Sequence, residues 1–252
     1  MNKEEFVVNN GKFNIYGIKY IPDNPKNIPI VINHGLLSSA KKCEKYSLFF
    51  CDLGYTVYAY DFCGGHKGGK SEGDRAYMTL EHELNDLQTV INSITEKKDK
   101  LMLFGESQGG FLSLLYAAKN PAVVAKVMAT CPALSIPDSA RSGKLLFMTF
   151  DPKNVKETFK TKPGYKFSPD FIIEAQRLDT DKIVKEVLCP VCIVHGAKDE
   201  IVPASYLRKS LENLSEHSFV YFLKKAKHSF KNSEKKQAML FFQEFLQEKT
   251  II

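Results

Sequence analysis

No apolar run in this chain of 252 residues approaches the ~18 residues that a membrane-crossing helix requires. A membrane partner is therefore not expected. Nor does a secretory leader open it, since Met1-Asn2-Lys3-Glu4-Glu5 begins with charge and no apolar stretch follows. The expectation from these absences is a soluble, cytoplasmic protein. Six cysteines, at positions 43, 51, 63, 131, 189 and 192, show none of the tight spacing of a disulfide scaffold. In a reducing compartment such thiols pack as small apolar groups. Cys189-Pro190-Val191-Cys192 matches C-x-x-C, but redox pairs open a helix, which lowers the thiol pKa. This pair enters the apolar stretch 191–194 and reads as structural. Internal repeats and low-complexity tracts are missing too.

The net charge of +6 is modest. Lys224, Lys225, Lys227, Lys231, Lys235 and Lys236 make the C-terminal region locally basic. Nucleic-acid binding would interleave such a patch with exposed aromatics or a reading motif. Neither is evident, so the patch reads as a solvated lysine face.

What is present is alternation. Asn10-Gly11 separates two apolar-rich runs and signals a hairpin. Strand-like runs follow at 29–33, 56–61, 101–104, 123–130, 191–195 and 219–223. Helical patterns fall between them near 41–53, 79–97, 108–119, 204–213 and 233–249. Strands separated by helices imply an α/β fold with a mostly parallel, twisted sheet covered on both faces. The stretch 132–186 breaks the rhythm and carries no clear strand. Phe147, Phe150, Phe159, Tyr165, Phe167 and Phe171 punctuate it. It reads as a lid inserted into a core made of 1–131 and 187–252, with a preference for a flat or aromatic acyl group.

Within this frame Gly105-Glu106-Ser107-Gln108-Gly109 stands between the strand-like run 101–104 and a helical run that stops before Pro121. A serine on a tight strand-to-helix turn cannot hide its hydroxyl. The glycines two before and two after it allow strand and helix to pass without a Cβ between them. That is the nucleophile elbow, G-x-S-x-G in its required context.

Ser107 needs a base, and the base needs a carboxylate to orient it. In an open parallel sheet the reacting groups lie beyond the carboxyl ends of the strands. His217 precedes its strand, His82 sits in a helical pattern, and His66 lies in a glycine-rich loop. His34 and His195 each end a strand. His228 follows the last strand, in a loop able to reach over the serine. For the acid, Asp199 lies just past the strand ending at His195, with Glu200 as its substitute. Ser107, Asp199 and His228 then appear in the order expected of this sheet. Two backbone N–H donors would stabilise the oxyanion, one from Gln108 and one from Leu36 in His34-Gly35-Leu36-Leu37. His34 itself reads as a turn-stabilising residue.

One motif points to another class. Gly64-Gly65-His66-Lys67-Gly68-Gly69-Lys70-Ser71 satisfies the P-loop pattern after a strand. A P-loop opens directly into a helix, whose amides hold the phosphates. Here Glu72-Gly73-Asp74-Arg75 follows, and the next helical pattern begins only near Thr79. A flexible loop at the rim of the site is the preferred reading, with nucleotide binding as the alternative.

Taken together, the chain resembles the α/β-hydrolase superfamily, and within it the bacterial cinnamoyl/feruloyl esterases. The residues carrying the likeness are His34-Gly35, Tyr60-Asp61-Phe62, the 105–110 elbow with Gln108, His195-Gly196 with Asp199, and Ala226-Lys227-His228. The resemblance implies a serine esterase with a short lid after the sixth strand and no cofactor or metal. Its partner would be a small-molecule ester, and the oligomeric state, a homodimer included, is left open. Carried over, Ser107, Asp199 and His228 form the triad, with Leu36 and Gln108 at the oxyanion hole. Two departures bear on substrate choice: Glu106 stands where these esterases usually carry histidine, and the glycine-rich loop after Asp61 is longer. Related members act on monoacylglycerols, thioesters or peptides. A hydrolase fold that has lost turnover and serves as a binding module is the remaining alternative.

Overall fold

A computed structural model describes residues 1–65, 69–94, 100–163 and 165–248. The expected hairpin is present: β1 (Asn2–Asn9) and β2 (Asn14–Ile21) pair antiparallel across the turn at Gly11, whose φ is +91°. Charged Lys3, Glu4 and Glu5 keep β1 exposed at the sheet edge, which discourages pairing with another chain. Next come β3 (Ile30–Asn33), α1 (Glu44–Asp52), β4 (Val57–Tyr60), α2 (Leu80–Ile94), β5 (Leu101–Glu106), α3 (Gln108–Lys119) and β6 (Val124–Thr130).

The stretch 132–186 holds α4 (Ile136–Ser142), β7 (Lys144–Leu145), β8 (Met148–Thr149), α5 (Val155–Thr158), α6 (Pro169–Gln176) and α7 (Thr180–Glu186). It therefore contains strands, contrary to expectation. β7 and β8 form a separate antiparallel hairpin turning at Leu146, which has a φ of 53°. Two-residue strands are too short to show an alternating pattern in sequence. The core resumes with β9 (Val191–Gly196), α8 (Ala204–Lys209), β10 (Phe219–Leu223) and α9 (Asn232–Gln247).

Among the described residues eight strands form one sheet in the order β1-β2-β4-β3-β5-β6-β9-β10. The β1–β2 and β2–β4 pairs are antiparallel, and the pairs from β4 to β10 are parallel. Every residue of β3 and β9 is buried, as expected of central parallel strands covered on both faces. On one face Leu87, Val90 and Ile91 of α2, the apolar side of α3, and Ile183 and Val184 of α7 share a core with Val31 and Leu103. On the other, Tyr46 and Phe50 of α1 and Ala238, Phe242 and Phe245 of α9 pack on Ile32, Phe104 and Val194. The α/β-hydrolase fold expected from the sequence is the fold observed.

All six cysteines are free thiols. Burial pushes Cys189 and Cys192 up to about 12, which suits packing and opposes thiolate chemistry.

Candidate active site

The sharp turn between β5 and α3 puts Ser107 at a φ of 52° and ψ of −116°. A non-glycine residue so placed costs about 1–3 kcal/mol and persists only where its surroundings impose it. Those surroundings are visible. Ser107 N–H donates to the Thr130 carbonyl at 2.9 Å, and the Ser107 carbonyl accepts from Phe111 and Ala133 N–H. A Cβ on Gly105 would lie 2.3 Å from the Gly109 carbonyl oxygen, and one on Gly109 would lie 2.1 Å from that of Asn33. No side chain fits there.

Beneath the turn runs a buried polar chain that sequence reasoning missed. Tyr60 O–H donates to Asn33 Oδ1 at 2.7 Å, Asn33 Nδ2 donates to Ser113 Oγ at 2.8 Å, and Ser113 O–H donates to the Gly109 carbonyl at 2.7 Å. It fastens β4, β3 and α3 together under the serine. Buried polar groups rigidify when every partner is supplied. The signal in sequence was Asn33 closing an otherwise apolar strand.

His228 and Asp199 stand where the serine needs them. His228 Nε2 lies 2.8 Å from Ser107 Oγ, and His228 Nδ1 lies 2.7 Å from Asp199 Oδ2. The loops bearing them are tied to each other: Lys198 N–H donates to the Ala226 carbonyl and Ala197 N–H to that of Leu223. Asp199 Oδ1 accepts N–H bonds from Ile201 and Val202 at 2.9 and 2.8 Å. Burial acts to raise the Asp199 pKa, but the bonds from His228, Val202 and Ile201 outweigh it and hold the carboxyl below its ordinary value. Asp199 is thus an ionised acceptor for Nδ1–H, leaving Nε2 to face the hydroxyl. Glu200, the substitute acid, points elsewhere, exposed and 3.6 Å from Lys227.

The other histidines are accounted for. His195 is buried, its Nε2–H donating to the Val202 carbonyl at 2.9 Å. Burial lowers its pKa, so a neutral ring braces the Asp199 loop. His34 Nδ1 bonds the Gly35 carbonyl at 2.8 Å while Nε2 accepts from Phe62 N–H, joining the Leu36 loop to the segment after β4. His82 is exposed and bonded to the Tyr77 carbonyl. His217 sits ahead of β10 at the opposite edge, and His66 lies outside the described residues.

Leu36 and Gln108 flank Ser107 in an apolar pocket of about 60 Å³ that Ile136, Leu145 and Val202 help to line. A wider, more polar cavity of about 340 Å³ opens on the His228 side, with Glu106, Lys42 and Lys235 on its wall. None of the six aromatics of 132–186 lines either cavity. Phe150, Phe167 and Phe171 are buried in the core, and Phe147, Phe159 and Tyr165 pack against it. In the elbow, Glu106 accepts from the Cys43 thiol at 3.3 Å and lies 3.8 Å from Lys235. Burial raises its pKa despite that lysine.

The described residues of the P-loop pattern are not arranged as a phosphate cradle. Lys70 Nζ turns outward to Glu5 at 2.9 Å and the Tyr16 hydroxyl at 3.0 Å. Ser71 O–H donates to the Asp61 carbonyl. After Gly73 comes a single 3-10 turn, Arg75–Tyr77, and α2 starts only at Leu80. Residues 66–68 of the pattern lie outside the described residues. Asp61 anchors this loop, accepting from Lys70 N–H at 2.9 Å with one oxygen and Ala40 N–H at 2.7 Å with the other.

A serine, histidine and aspartate joined by hydrogen bonds beyond the carboxyl ends of such a sheet define the α/β-hydrolase class of protein. The sequence carries the family directly: residues 24–168 match the family described as serine aminopeptidase, S33, and the chain belongs to it. YqkD, an uncharacterized protein of Bacillus subtilis (strain 168), is 24% identical over 243 residues, 91% of this chain and 74% of YqkD. The mitochondrial palmitoyl-protein thioesterase ABHD10 of Rattus norvegicus is 26% identical over 192 residues, 71% of this chain and 61% of that protein. Among solved structures, Est1E from Butyrivibrio proteoclasticus with ferulic acid bound superposes at a TM-score of 0.85 with 23% identity, over 96% of this chain and all of Est1E. That likeness is one of fold. Among the described residues, no helix is long and apolar enough to cross a membrane.

Proposed function

We propose that this chain is a serine esterase that hydrolyses small carboxylic esters through an acyl-enzyme. One observation carries the reading: the unbroken contact from Asp199 Oδ2 through His228 to Ser107 Oγ, at 2.7 and 2.8 Å. Ser107 attacks the ester carbonyl as His228 Nε2 takes its proton. Asp199 holds the ring and balances the imidazolium that forms. Leu36 and Gln108 N–H face the oxyanion, each such donor contributing roughly 3 kcal/mol to the transition state. His228 returns the proton to the leaving alcohol, which must lie beside it, in the wider cavity. Water then repeats the sequence on the acyl-Ser107 ester.

Within this class the resemblance to feruloyl esterases points to hydroxycinnamoyl esters, and the stretch 132–186 would act as the lid over them. The family and relatives also include peptidases, monoacylglycerol lipases and thioesterases. A panel of methyl ferulate, p-nitrophenyl acetate, monoacylglycerol, acyl thioester and aminopeptidase substrates separates them. A fluorophosphonate probe should label Ser107 in the native protein and leave Ser107→Ala unlabelled. An unlabelled native protein would mean a binding module instead.

A further inference from the structure

Gln108 is read above for its peptide N–H, yet its side chain is equally committed. It reaches α2, where Nε2 donates to Glu83 Oε2 at 2.6 Å. Both residues are buried, Glu83 at 2% and Gln108 at 3% exposure. A carboxylate so deeply enclosed ordinarily has a cation beside it. Among the described residues no ion pair reaches Glu83. Among the described residues the charged groups facing it are acidic, Asp86 one turn along α2 and Glu174 on α6, and the Tyr60 phenol of β4, kept neutral by its burial, faces it as well. Asp86 is itself engaged, accepting from Cys63 N–H at 2.8 Å and Asn10 Nδ2 at 2.7 Å. Glu174 accepts from Glu81 N–H at 3.0 Å. From α3 comes only the neutral amide of Gln108.

Stability alone gives no reason for an acid here, because glutamine or an apolar side chain would fill the space without the cost of a buried, unpaired carboxyl. Its placement against the residue after the nucleophile gives one. We propose that Glu83 is a positioning residue for the oxyanion hole: while neutral it fixes Gln108 and the peptide N–H beside Ser107, and once ionised it puts an uncompensated negative charge under the hole and slows the reaction. This rests on the serine-hydrolase reading above, with Gln108 as an oxyanion donor.

The sign follows from the charges. The tetrahedral intermediate is an oxyanion, so a second negative charge nearby in a poorly solvated region raises its energy. Burial first, then Asp86 and Glu174, push the Glu83 carboxyl up to about 8, against the lowering effect of the Gln108 bond. It is therefore mostly neutral at pH 7 and titrates in the mildly alkaline range.

The test is the pH dependence of p-nitrophenyl acetate hydrolysis by the native protein, Glu83→Gln and Glu83→Ala between pH 6 and 10. The native kcat should fall roughly tenfold through a limb near pH 8 while KM stays level. Glu83→Gln keeps an acceptor for the Gln108 amide, so its neutral-pH kcat should stay within about twofold and its alkaline limb should vanish. Glu83→Ala leaves that amide without its partner and should lower kcat at every pH, again with KM level. A native profile without the limb, or a Glu83→Gln profile that keeps it, overturns the proposal. Infrared titration of the native protein gives a reading independent of any variant's folding. A buried protonated carboxyl present at pH 6 and lost by pH 10 is expected, and its absence at pH 6 overturns the proposal equally. A native protein that is neither labelled at Ser107 nor active on any ester would sink both readings together. A labelled, active enzyme without the limb would sink only this one.

Discussion

Ser107 and Glu83 show how unevenly single residues declare themselves. Ser107 was legible because its motif is a steric requirement: Gly105 and Gly109 are glycines because backbone atoms stand 2.3 and 2.1 Å from where their Cβ atoms would be. Glu83 gave almost no signal, since an acid in a helix ordinarily faces water. The only hint was its register, three residues after buried Leu80 and four before buried Leu87. Asp199 was expected beside His228 from its place past a strand, and lies there, but the two backbone N–H bonds that fix its other oxygen depend on how the loop folds back and were not expected. Replacing Asp199 by asparagine should lower kcat by about 10⁴, the loss found when a triad acid becomes an amide and the histidine tautomer is wrong. Steady-state kinetics on any good ester checks this. Asp199 also carries a linkage. Its folded pKa is lowered, so the stability it supplies is present above the unfolded carboxylate value and is lost as pH falls through the folded one. The difference in melting temperature between native protein and Asp199→Asn should therefore shrink as pH drops from 6 towards 3.

At the scale of elements, long periodic segments were read well and short or composite ones poorly. The strand expected at 101–104 runs to Glu106 because Gly105 and Glu106 pair with Ala129 and Thr130 of β6, a partner that composition alone does not reveal. The helix expected at 41–53 opens as a 3-10 turn, Ala40–Cys43, held at Ala40 by Asp61. The run 204–213 splits near Ser210 into α8 and a 3-10 turn, Leu211–Asn213. The β7–β8 hairpin escaped notice altogether, yet it brings Leu145 and Leu146 to the pocket beside Ser107. Leu146 is 40% exposed and Ile201, on the same pocket, is 51% exposed. On the proposed esterase reading, apolar side chains left open at such a mouth would cover an acyl chain. Leu146→Ala should reduce kcat/KM for butyryl and longer p-nitrophenyl esters by roughly 3- to 10-fold, about the value of one or two methylenes, and spare acetate. Equal loss on all chain lengths would remove the hairpin from acyl recognition. The elbow makes a harsher prediction. Gly109→Ala forces backbone movement between β3 and α3, costing about 1–3 kcal/mol or more, so melting should fall by roughly 3–10 °C.

Across the whole molecule, the alternation of strands and helices specified the class of fold, but not the strand order. That β3 lies between β4 and β5, with β9 and β10 beyond β6, is decided by which apolar faces meet, and no local window contains that information. One topological rule, that reacting groups gather past the carboxyl ends of strands, predicts that Ser107, Asp199 and His228 meet. That rule does not predict the network supporting them, because it joins β4, β3 and α3 by buried polar contacts rather than by pattern. The same burial gives the molecule a collective pH response. Glu83 is pushed up to about 8, and burial raises Asp86 and Glu106 as well. For an acid raised on folding, the unfolded chain gives up its proton first and the native state binds more protons. Stability from these groups is full below the unfolded carboxylate range and is lost as pH rises through the folded values. Melting temperature should accordingly decline between about pH 5 and pH 8, a direction opposite to the acid lability contributed by Asp199. Glu83→Gln should melt with the native protein near pH 3, below the unfolded carboxylate range, where both side chains are neutral in either state. By pH 8 it should melt roughly 5 °C or more higher, because the native protein alone has lost that contribution. Differential scanning fluorimetry across this range reads the two curves directly. Curves that run parallel from pH 4.5 to 8 would mean that Glu83 is ionised throughout, with a cation or water compensating it.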